Sequence, residues 1–287
     1  MTDSSGSQST IHVDQVRDTV SRLCIEANRY LPADLRAALA QARQVERSDT
    51  GREILGQLCV NADLARDTGL PICQDTGMAV VFLSIGQDVR LVGGDLRTAV
   101  NDGVADGYRR GHMRASVVGD PLLRNNTGDN TPAVLHMEMV PGTHVGITVV
   151  PKGFGSENMS AVRMLSPSDG EEGIRRFVLE TVERAGANPC PPIVVGVGIG
   201  GTFEQVALLA KQALLRPIGQ RSPLPHIATL EASFLEGINR LGIGPAGYGG
   251  SVTALGLAIE TAPTHIAGLP VALNMSCHAT RHATAEL

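Results

Sequence analysis

Aromatic side chains are scarce in this sequence: tryptophan is absent, and aromatic residues make up 3% of the chain. Glycine is abundant by comparison, with 33 of the 287 residues. The core must therefore consist mainly of Ala, Val, Leu and Ile, and many loops should be shaped by their backbone. A hydrophobic content of 43% with 18% charged residues is typical of globular proteins, so the chain as a whole is expected to fold.

Long apolar runs and a basic excess are also missing. No stretch approaches the roughly 18 apolar residues of a membrane-spanning helix, and residues 1–10 lack the features of a signal peptide. The formal net charge of −5 argues against a broad nucleic-acid surface. We therefore expect a cytoplasmic protein that binds neither membranes nor nucleic acids. A small acidic substrate remains compatible, because one or two buried arginines suffice to bind it.

Close cysteine pairs are absent among the five cysteines, which favours reduced thiols or metal ligands over a disulfide framework. Cys24 and Cys59 fall within helical patterns, which predicts small buried side chains. Cys73, Cys190 and Cys277 instead lie in turns beside strands, next to Pro, Gly or Ser.

Three thiolates in turns could hold an iron–sulfur cluster, although four protein thiolates are more common. One iron would then be left to bind water or a substrate oxygen as a Lewis acid. Spacing alone does not distinguish such a cluster from unrelated thiols. Structural zinc is the weaker metal alternative, because it usually shows paired Cys or His residues.

Hydrophobic periodicity predicts an α/β fold, a single mixed-sheet domain flanked by helices, with a helical N-terminal segment. We expect a disordered tail at residues 1–10 and one domain at residues 11–287, because no repeat or linker interrupts the chain. Pro141 and Gly142 predict a hairpin between the second and third strands. The predicted helices cover residues 13–30, 32–45, 50–69, 95–110, 169–185, 227–241 and a segment from Thr202; the predicted strands cover residues 78–85, 134–140, 144–150, 193–197, 252–259 and 270–275.

Residues 70–77 (Leu-Pro-Ile-Cys-Gln-Asp-Thr-Gly) have neither helical nor strand periodicity, so they form a turn. A connecting turn needs only its Gly and Pro. The thiol, amide and carboxylate of Cys73, Gln74 and Asp75 therefore suggest a metal cluster with a substrate beside it.

Residues 196–201 (Gly-Val-Gly-Ile-Gly-Gly) have the spacing of a dinucleotide-binding loop between a strand and a helix. However, residues 216–220 offer no strand ending in Asp or Glu to hold a ribose. We interpret the glycines as a structural strand-to-helix turn, whose helix N-terminus could face an anion.

Five motifs follow one another along the chain: residues 71–77 (Pro-Ile-Cys-Gln-Asp-Thr-Gly), 126–132 (Asn-Thr-Gly-Asp-Asn-Thr-Pro), 152–158 (Lys-Gly-Phe-Gly-Ser-Glu-Asn), 190–192 (Cys-Pro-Pro) and 275–277 (Met-Ser-Cys). Together they resemble the α subunit of the two-subunit, class I iron–sulfur-dependent fumarate hydratases and the related tartrate dehydratase α subunit. The resemblance extends over nearly the whole chain.

The resemblance implies a 4Fe–4S cluster held by three cysteines, which match Cys73, Cys190 and Cys277, with the fourth iron open to substrate. Catalytic and substrate-contacting groups beside the first cysteine match Gln74 and Asp75. Reversible hydration of an alkene needs an acid and a base on either side of the double bond. Asp75 is then the candidate proton donor to the hydroxyl group that leaves or arrives.

Four further positions match substrate contacts of the family: Arg114, Gly155, Asn158 and His265. Their surroundings differ from the family pattern, so alternatives remain open. Arg114 could be a structural arginine, and His265 could belong to a surface loop before a strand.

Hydration of fumarate to malate is the first expectation, because residues 126–132 and 275–277 look more like the fumarase α subunits. Dehydration of tartrate or another small hydroxy acid is the alternative, since these substrates differ by one hydroxyl group. A non-catalytic iron–sulfur sensor would leave the matching carboxylate, amide and arginine without a function.

In single-chain relatives of this family, a second C-terminal domain supplies further substrate contacts and the proposed catalytic base. This chain ends at Leu287, ten residues after Cys277. The resemblance therefore implies a separate β subunit with the remaining active-site residues, an α₂β₂ assembly, and no activity from this chain alone.

Overall fold

The computed structural model describes residues 9–287. These residues form eight α-helices and ten β-strands, which confirms the α/β class and the helical N-terminal segment. The predicted disordered tail, residues 1–10, lies outside the described residues except for Ser9 and Thr10, which belong to the first strand. Among residues 9–287, no helix combines the length and the apolar content that crossing a membrane would require.

Most helices and long strands lie where the sequence predicts them. The helices are α1 (Val13–Arg29), α2 (Ala33–Val45), α3 (Asp49–Thr68), α4 (Leu96–Arg110), α5 (Phe154–Glu157), α6 (Gly170–Ala185), α7 (Phe203–Ala213) and α8 (Pro225–Arg240). The strands are β1 (Ser9–His12), β2 (Met78–Gly86), β3 (Val89–Val92), β4 (Val134–Val140), β5 (Val145–Lys152), β6 (Ala161–Leu165), β7 (Ile193–Gly200), β8 (Ala254–Ala262), β9 (Leu269–Ser276) and β10 (Ala283–Glu286).

The described chain divides into two compact units. Unit 1 contains residues 9–31, Leu64–Lys152 and Arg281–Leu287, and unit 2 contains Pro32–Asp63 and Gly153–Thr280. Each unit has a four-stranded mixed sheet and a hydrophobic core of its own. One domain over residues 11–287 remains a prediction.

In unit 1 the sheet has the strand order β10-β5-β2-β4, and β1 pairs with β3 in a separate two-stranded sheet. The core lies between the four-stranded sheet and the helices α1 and α4. Gly107 lets these two helices approach closely, because a Cβ at this position would lie 2.7 Å from the carbonyl oxygen of Ser21. The sheet and this helix pair position the turn that precedes β2.

The predicted hairpin between β4 and β5 is wrong. β2 lies between these strands, parallel to β4 and antiparallel to β5. Ala79, Val81 and Leu83 of β2 are all buried, so a central position for β2 removes more apolar surface from water. β4 becomes an edge strand as a result, and its Met139 side chain is 76% exposed.

In unit 2 the sheet has the strand order β6-β9-β7-β8. Val195 and Val197 of β7 belong to the core formed with α6 and α8. Gly196 and Gly198 lie on the other face, where a Cβ would collide with backbone atoms of α7. The glycines therefore allow α7 to lie directly on the strand, which supports their structural interpretation.

Glu46 follows α2 and is buried, with 2% of its surface exposed. Its carboxylate accepts hydrogen bonds from the backbone N–H groups of Arg47 and Ser48 (2.7 and 2.8 Å). The N–H groups of Ser251 and Val252, before β8, donate to it as well (2.9 and 2.8 Å). Burial acts to raise the pKa of Glu46, but these four donors outweigh it and hold the pKa below its usual range.

Candidate active site

The turn at residues 70–77 lies in unit 1 between α3 and β2, as predicted. The carbonyl oxygens of residues 75, 76 and 77 all accept hydrogen bonds from buried side chains. Arg281 Nη2 donates to the first (2.8 Å), the Tyr108 hydroxyl to the second and third (2.8 and 3.0 Å), and Asn130 Nδ2 to the third (3.2 Å). Burial raises the pKa of Tyr108 far above its usual range, so its hydroxyl stays protonated and can donate.

The side chains of the turn reach the surface of unit 1. Gly77 N–H donates to Asp75 Oδ1 (3.0 Å), which orients the carboxylate, and Cys73 Sγ donates to Gln74 Oε1 (3.4 Å). Gln74 is exposed, while Cys73 and Asp75 are partly exposed. A thiol, an amide and a carboxylate are therefore available to a ligand on a fixed backbone.

Gly77 is required at the end of the turn. Its φ is +74°, a conformation that favours glycine. A Cβ would also lie 2.7 Å from backbone atoms of Lys152, the last residue of β5. The motif at residues 152–158 therefore begins, at Lys152, in contact with the end of the motif at residues 71–77.

Arg114 is tied to the turn through its backbone. Its N–H donates to Thr76 Oγ1 (3.0 Å), and the same hydroxyl donates to the Arg114 carbonyl oxygen (3.2 Å). Two asparagines of residues 126–132 hold the residues that follow Arg114. Asn126 Nδ2 donates to the Ala115 carbonyl oxygen (3.1 Å), and Ser116 N–H donates to Asn130 Oδ1 (2.8 Å). The exposed Arg114 side chain therefore leaves a loop that is fixed beside Gln74 and Asp75.

Cys190 and Cys277 lie in unit 2, at one end of a strand pair. β7 and β9 are antiparallel with Val194 opposite Ser276, so the turn before β7 is next to the turn after β9. The backbone nitrogen and the ring Nδ1 of His278 lie 3.4 and 3.0 Å from the Cys190 carbonyl oxygen. The structure thus brings the loops of two predicted ligands together, with one thiol exposed and the other partly exposed.

The loop with Gly155 and Asn158 packs beside the Cys190 turn. A Cβ on Gly155 would lie 3.5 Å from the carbonyl oxygen of Asn188, two residues before Cys190. Gly155 and Asn158 are both exposed. These two predicted substrate contacts are therefore at the same end of the unit 2 sheet as the two cysteines.

A largely buried ion pair anchors this loop to α7, and hydrogen bonds from Asn274 anchor it to β9. Lys211 Nζ donates to Glu157 Oε1 (2.6 Å), and the two side chains are 17% and 25% exposed. Asn274 Nδ2 donates to Glu157 Oε2 (2.8 Å) and to Ser160 Oγ (2.9 Å). Asn274 lies on β9, three residues before Cys277. The network therefore fixes the loop with Gly155 and Asn158 relative to that cysteine.

His265 is not brought together with the unit 2 cysteines. It is exposed in the loop before β9, where its Nδ1 accepts a hydrogen bond from Ala267 N–H (3.1 Å). The eight residues of β9 lie between His265 and Cys277, and a strand of that length separates its ends by roughly 25 Å. Its match to a substrate contact remains a prediction.

The five cysteines of the described chain are all thiols, but their surroundings differ. Cys24 is fully buried, and burial raises its pKa to about 12, so it does not readily form a thiolate. Cys59, inside α3, is partly exposed rather than buried as predicted, and its partial burial raises its pKa. Cys73, Cys190 and Cys277 are in loops and at least partly exposed, which fits ligation by thiolates.

The predicted cluster ligands come from both units. Within either unit of the described chain, no group of three or more His, Cys, Asp or Glu side chains is placed to hold a metal ion. Cys73 belongs to unit 1, whereas Cys190 and Cys277 belong to unit 2. The three-cysteine ligand set therefore remains a prediction that the donor chemistry supports.

No pattern in the sequence predicts a role for Arg281, Tyr108 or Lys211. Arg281 bonds to a residue 206 positions away, and Lys211 to one 54 positions away. No local pattern indicates such partners. Two weak signals in the sequence point to these residues: Lys211 interrupts the apolar helix α7, and Arg281 follows Cys277 by four residues.

Comparisons with known proteins agree along nearly the whole chain. Residues 17–286 match the family described as Fumarate hydratase (Fumerase). The chain is 44% identical over 275 residues to a protein of Methanocaldococcus jannaschii that is provisionally named L(+)-tartrate dehydratase subunit alpha, with 94% of this chain and 96% of the relative covered. It is 34% and 33% identical over 275 residues to the L(+)-tartrate dehydratase subunit alpha of two Escherichia coli strains, with 95% of this chain and 90% of each relative covered.

Proposed function

Because this chain belongs to the fumarate hydratase (Fumerase) family, we propose that it is the α-type subunit of a hydro-lyase that reversibly hydrates fumarate to malate. Family membership confirms the resemblance inferred from the five motifs, and with it the hydro-lyase class. The observation that carries the proposal is the turn at residues 73–75. It presents a thiol, an amide and a carboxylate on a backbone held by buried side chains, with Arg114 tied to it.

A 4Fe–4S cluster held by Cys73, Cys190 and Cys277 would supply a Lewis-acid iron for a substrate oxygen. Exposed thiols in loops support this ligand set, whereas the buried Cys24 is unsuited to it. The two ligand loops of unit 2 are joined through His278, which fixes them relative to each other.

Asp75 is the proposed acid. In dehydration of malate, its proton goes to the hydroxyl group as the C–O bond breaks, and water leaves. In the hydration direction, the carboxylate accepts a proton from the incoming water while the C–O bond forms. The hydrogen bond from Gly77 N–H to Oδ1 keeps the carboxylate oriented in both directions.

The remaining substrate contacts are proposed for groups that reach the surface. Arg114 would bind one carboxylate of the substrate by a charge-assisted hydrogen bond, and the Gln74 amide would bind beside it. Gly155 and Asn158 are further proposed substrate contacts. His265 is also a proposed contact.

A separate β subunit is proposed to carry the catalytic base, which removes the proton from carbon in the dehydration direction. The relatives' names as alpha subunits support a second kind of subunit in this enzyme. An α₂β₂ assembly and a cytoplasmic location are further predictions.

Dehydration of L(+)-tartrate is the second candidate, and the names of the relatives favour it. Loss of water from tartrate gives an enol that rearranges to oxaloacetate, so the same acid and base would serve. Tartrate carries one hydroxyl group more than malate. A site that bonds to that hydroxyl group rejects the analogue without it by about 10⁴-fold or more, so the two candidates are separable by kinetics.

The decisive experiment is anaerobic co-expression of this chain with the neighbouring genes, followed by purification of the complex. We expect absorbance from thiolate-to-iron charge transfer, a co-purifying β-type partner, and turnover of fumarate or L(+)-tartrate. This chain alone, reconstituted with iron and sulfide, should be inactive. Robust activity from the single chain would contradict the need for a partner, and a colourless complex that turns over neither substrate would contradict the proposed function.

A further inference from the structure

Arg281 is a buried cation beside the catalytic turn that the proposed reaction does not use. It is 3% exposed and lies four residues after Cys277 in the sequence. Its Nη2 donates to the Asp75 carbonyl oxygen (2.8 Å), and its Nε donates to Asn28 Oδ1 (3.2 Å). Burial of a guanidinium is unfavourable unless hydrogen bonds compensate it, and these two contacts contribute to that compensation.

Asn28 extends the contact to the other side of the turn. This residue of α1 is 1% exposed, and its backbone oxygen accepts a hydrogen bond from Ile72 N–H (2.9 Å). Its side chain also donates back to a carbonyl of α1 (3.0 Å), which holds the amide in place. Arg281 and Asn28 therefore bind the backbone immediately before Cys73 and immediately after Gln74.

We propose that Arg281 is a positioning residue that acts with Asn28 to fix residues 72–75 and thereby aims the Cys73 thiol and the Asp75 carboxylate. Its Nη2 contacts the turn at the Asp75 carbonyl oxygen, so it acts on the backbone of the turn. A lysine is a poor replacement, because an ammonium lacks the planar fork that bonds two acceptors in fixed directions. The catalytic part of this inference rests on the proposed function.

Hydrogen–deuterium exchange on the cluster-free chain tests the positioning role without any activity. Arg281→Met should speed exchange in the peptide covering residues 70–77 by about 10-fold, because the local opening becomes easier. Arg281→Lys should have a smaller effect on the same peptide. The control is Arg17→Met in the same unit, since the Arg17 side chain pairs with Asp14 and Asp18 on α1.

The exchange result has two contrary outcomes. Unchanged exchange at residues 70–77 in Arg281→Met would overturn the proposal. Faster exchange throughout unit 1 in both Arg281→Met and Arg281→Lys would show that Arg281 stabilises the unit as a whole, which also overturns a positioning role. Faster exchange confined to the turn supports it.

Kinetics of the complex with the partner subunit supply the second readout. Arg281→Met should lower kcat by about 10- to 100-fold, as the loss of an outer hydrogen-bond partner typically does. KM should stay within about 3-fold, because no substrate contact is removed. A raised KM with unchanged kcat would indicate direct substrate binding and contradict the proposal. If the wild-type complex turns over neither substrate, the proposed function fails, and the exchange comparison still decides the positioning role.

Discussion

Asp75 and Glu46 are carboxylates that both accept backbone N–H groups, yet their surroundings suit them to different tasks. Asp75 is partly exposed, and a hydrogen bond from the Gly77 N–H orients its carboxylate. Glu46 is 2% exposed, and it accepts hydrogen bonds from backbone N–H groups of two segments, residues 47–48 and residues 251–252. Glu46 is therefore a structural anion, whereas the Asp75 carboxylate is accessible to a ligand.

Replacing Asp75 by asparagine removes the proposed acid but keeps an oxygen that can accept the Gly77 N–H. We expect kcat of the complex to fall by about 10²- to 10⁴-fold, with the cluster absorbance unchanged. The control is Asp102→Asn on the exposed surface of α4, which should retain wild-type turnover. An Asp75→Asn complex with an intact cluster spectrum and unchanged turnover would refute the assigned role.

Replacing Glu46 by glutamine should destabilise the chain by about 2 kcal/mol at neutral pH, because a buried charged acceptor is lost. The pKa of Glu46 is held below its ordinary value of 4.5, so its stabilisation is complete above that pH. The stabilisation is lost as the pH falls from 4.5 through the folded-state pKa.

Urea unfolding of both proteins at several pH values checks this dependence. The difference in unfolding free energy should be constant above about pH 5 and shrink below it. Glu236→Gln, which breaks only an exposed pair with Arg240, should change stability by less than about 0.5 kcal/mol. If the difference in unfolding free energy between wild type and Glu46→Gln stayed constant down to low pH, the stabilising role of the ionised Glu46 carboxylate would be contradicted.

At the scale of elements, the helices were predictable because their ends carry local signals. Asp95 caps α4 through its bond to Thr98 N–H, and Gly186 follows the last residue of α6. Strand neighbours carry no such signal. The turn at Pro141 and Gly142 suggested a hairpin, but β2, more than 50 residues earlier, takes the place between the strands. The short strands β1, β3, β6 and β10 went unpredicted, since each has five residues or fewer.

The packing of α7 on β7 depends on glycines that have no room for a side chain. Gly198→Ala would place a Cβ against backbone atoms of Val206 and Ala210. Such overpacking should lower the free energy of unfolding by about 3 kcal/mol. In the control Gly146→Ala on β5, the nearest atom to the new Cβ is 3.6 Å away, so stability should be unchanged or slightly higher. Thermal and urea unfolding of the two variants measure the difference, and equal stability would contradict the structural reading of the glycine motif.

At the scale of the whole molecule, the site was only partly predictable. The turn at residues 73–75 and the loops at Cys190 and Cys277 stand out locally, because polar and thiol side chains interrupt apolar patterns. The residues that hold them do not. Arg281, Asn28 and Tyr108 reach the turn from distant segments, and only the fold of unit 1 brings them together. The candidate reactive side chains can thus be predicted from the sequence, whereas the residues that hold them in place can be identified only from the tertiary structure.

Because the proposed ligand set has three cysteines, loss of any one of these thiols should abolish the cluster. Cys73→Ala, Cys190→Ala and Cys277→Ala should each lose iron and the charge-transfer absorbance after anaerobic reconstitution, along with activity. Cys24→Ala and Cys59→Ala should retain both, since these thiols lie within helices and burial raises their pKa. Iron analysis and absorbance spectra of the five variants test the assignment together. Full iron content in any of the first three variants would remove that cysteine from the ligand set. Loss of iron in either control would show that a helical thiol had been wrongly excluded.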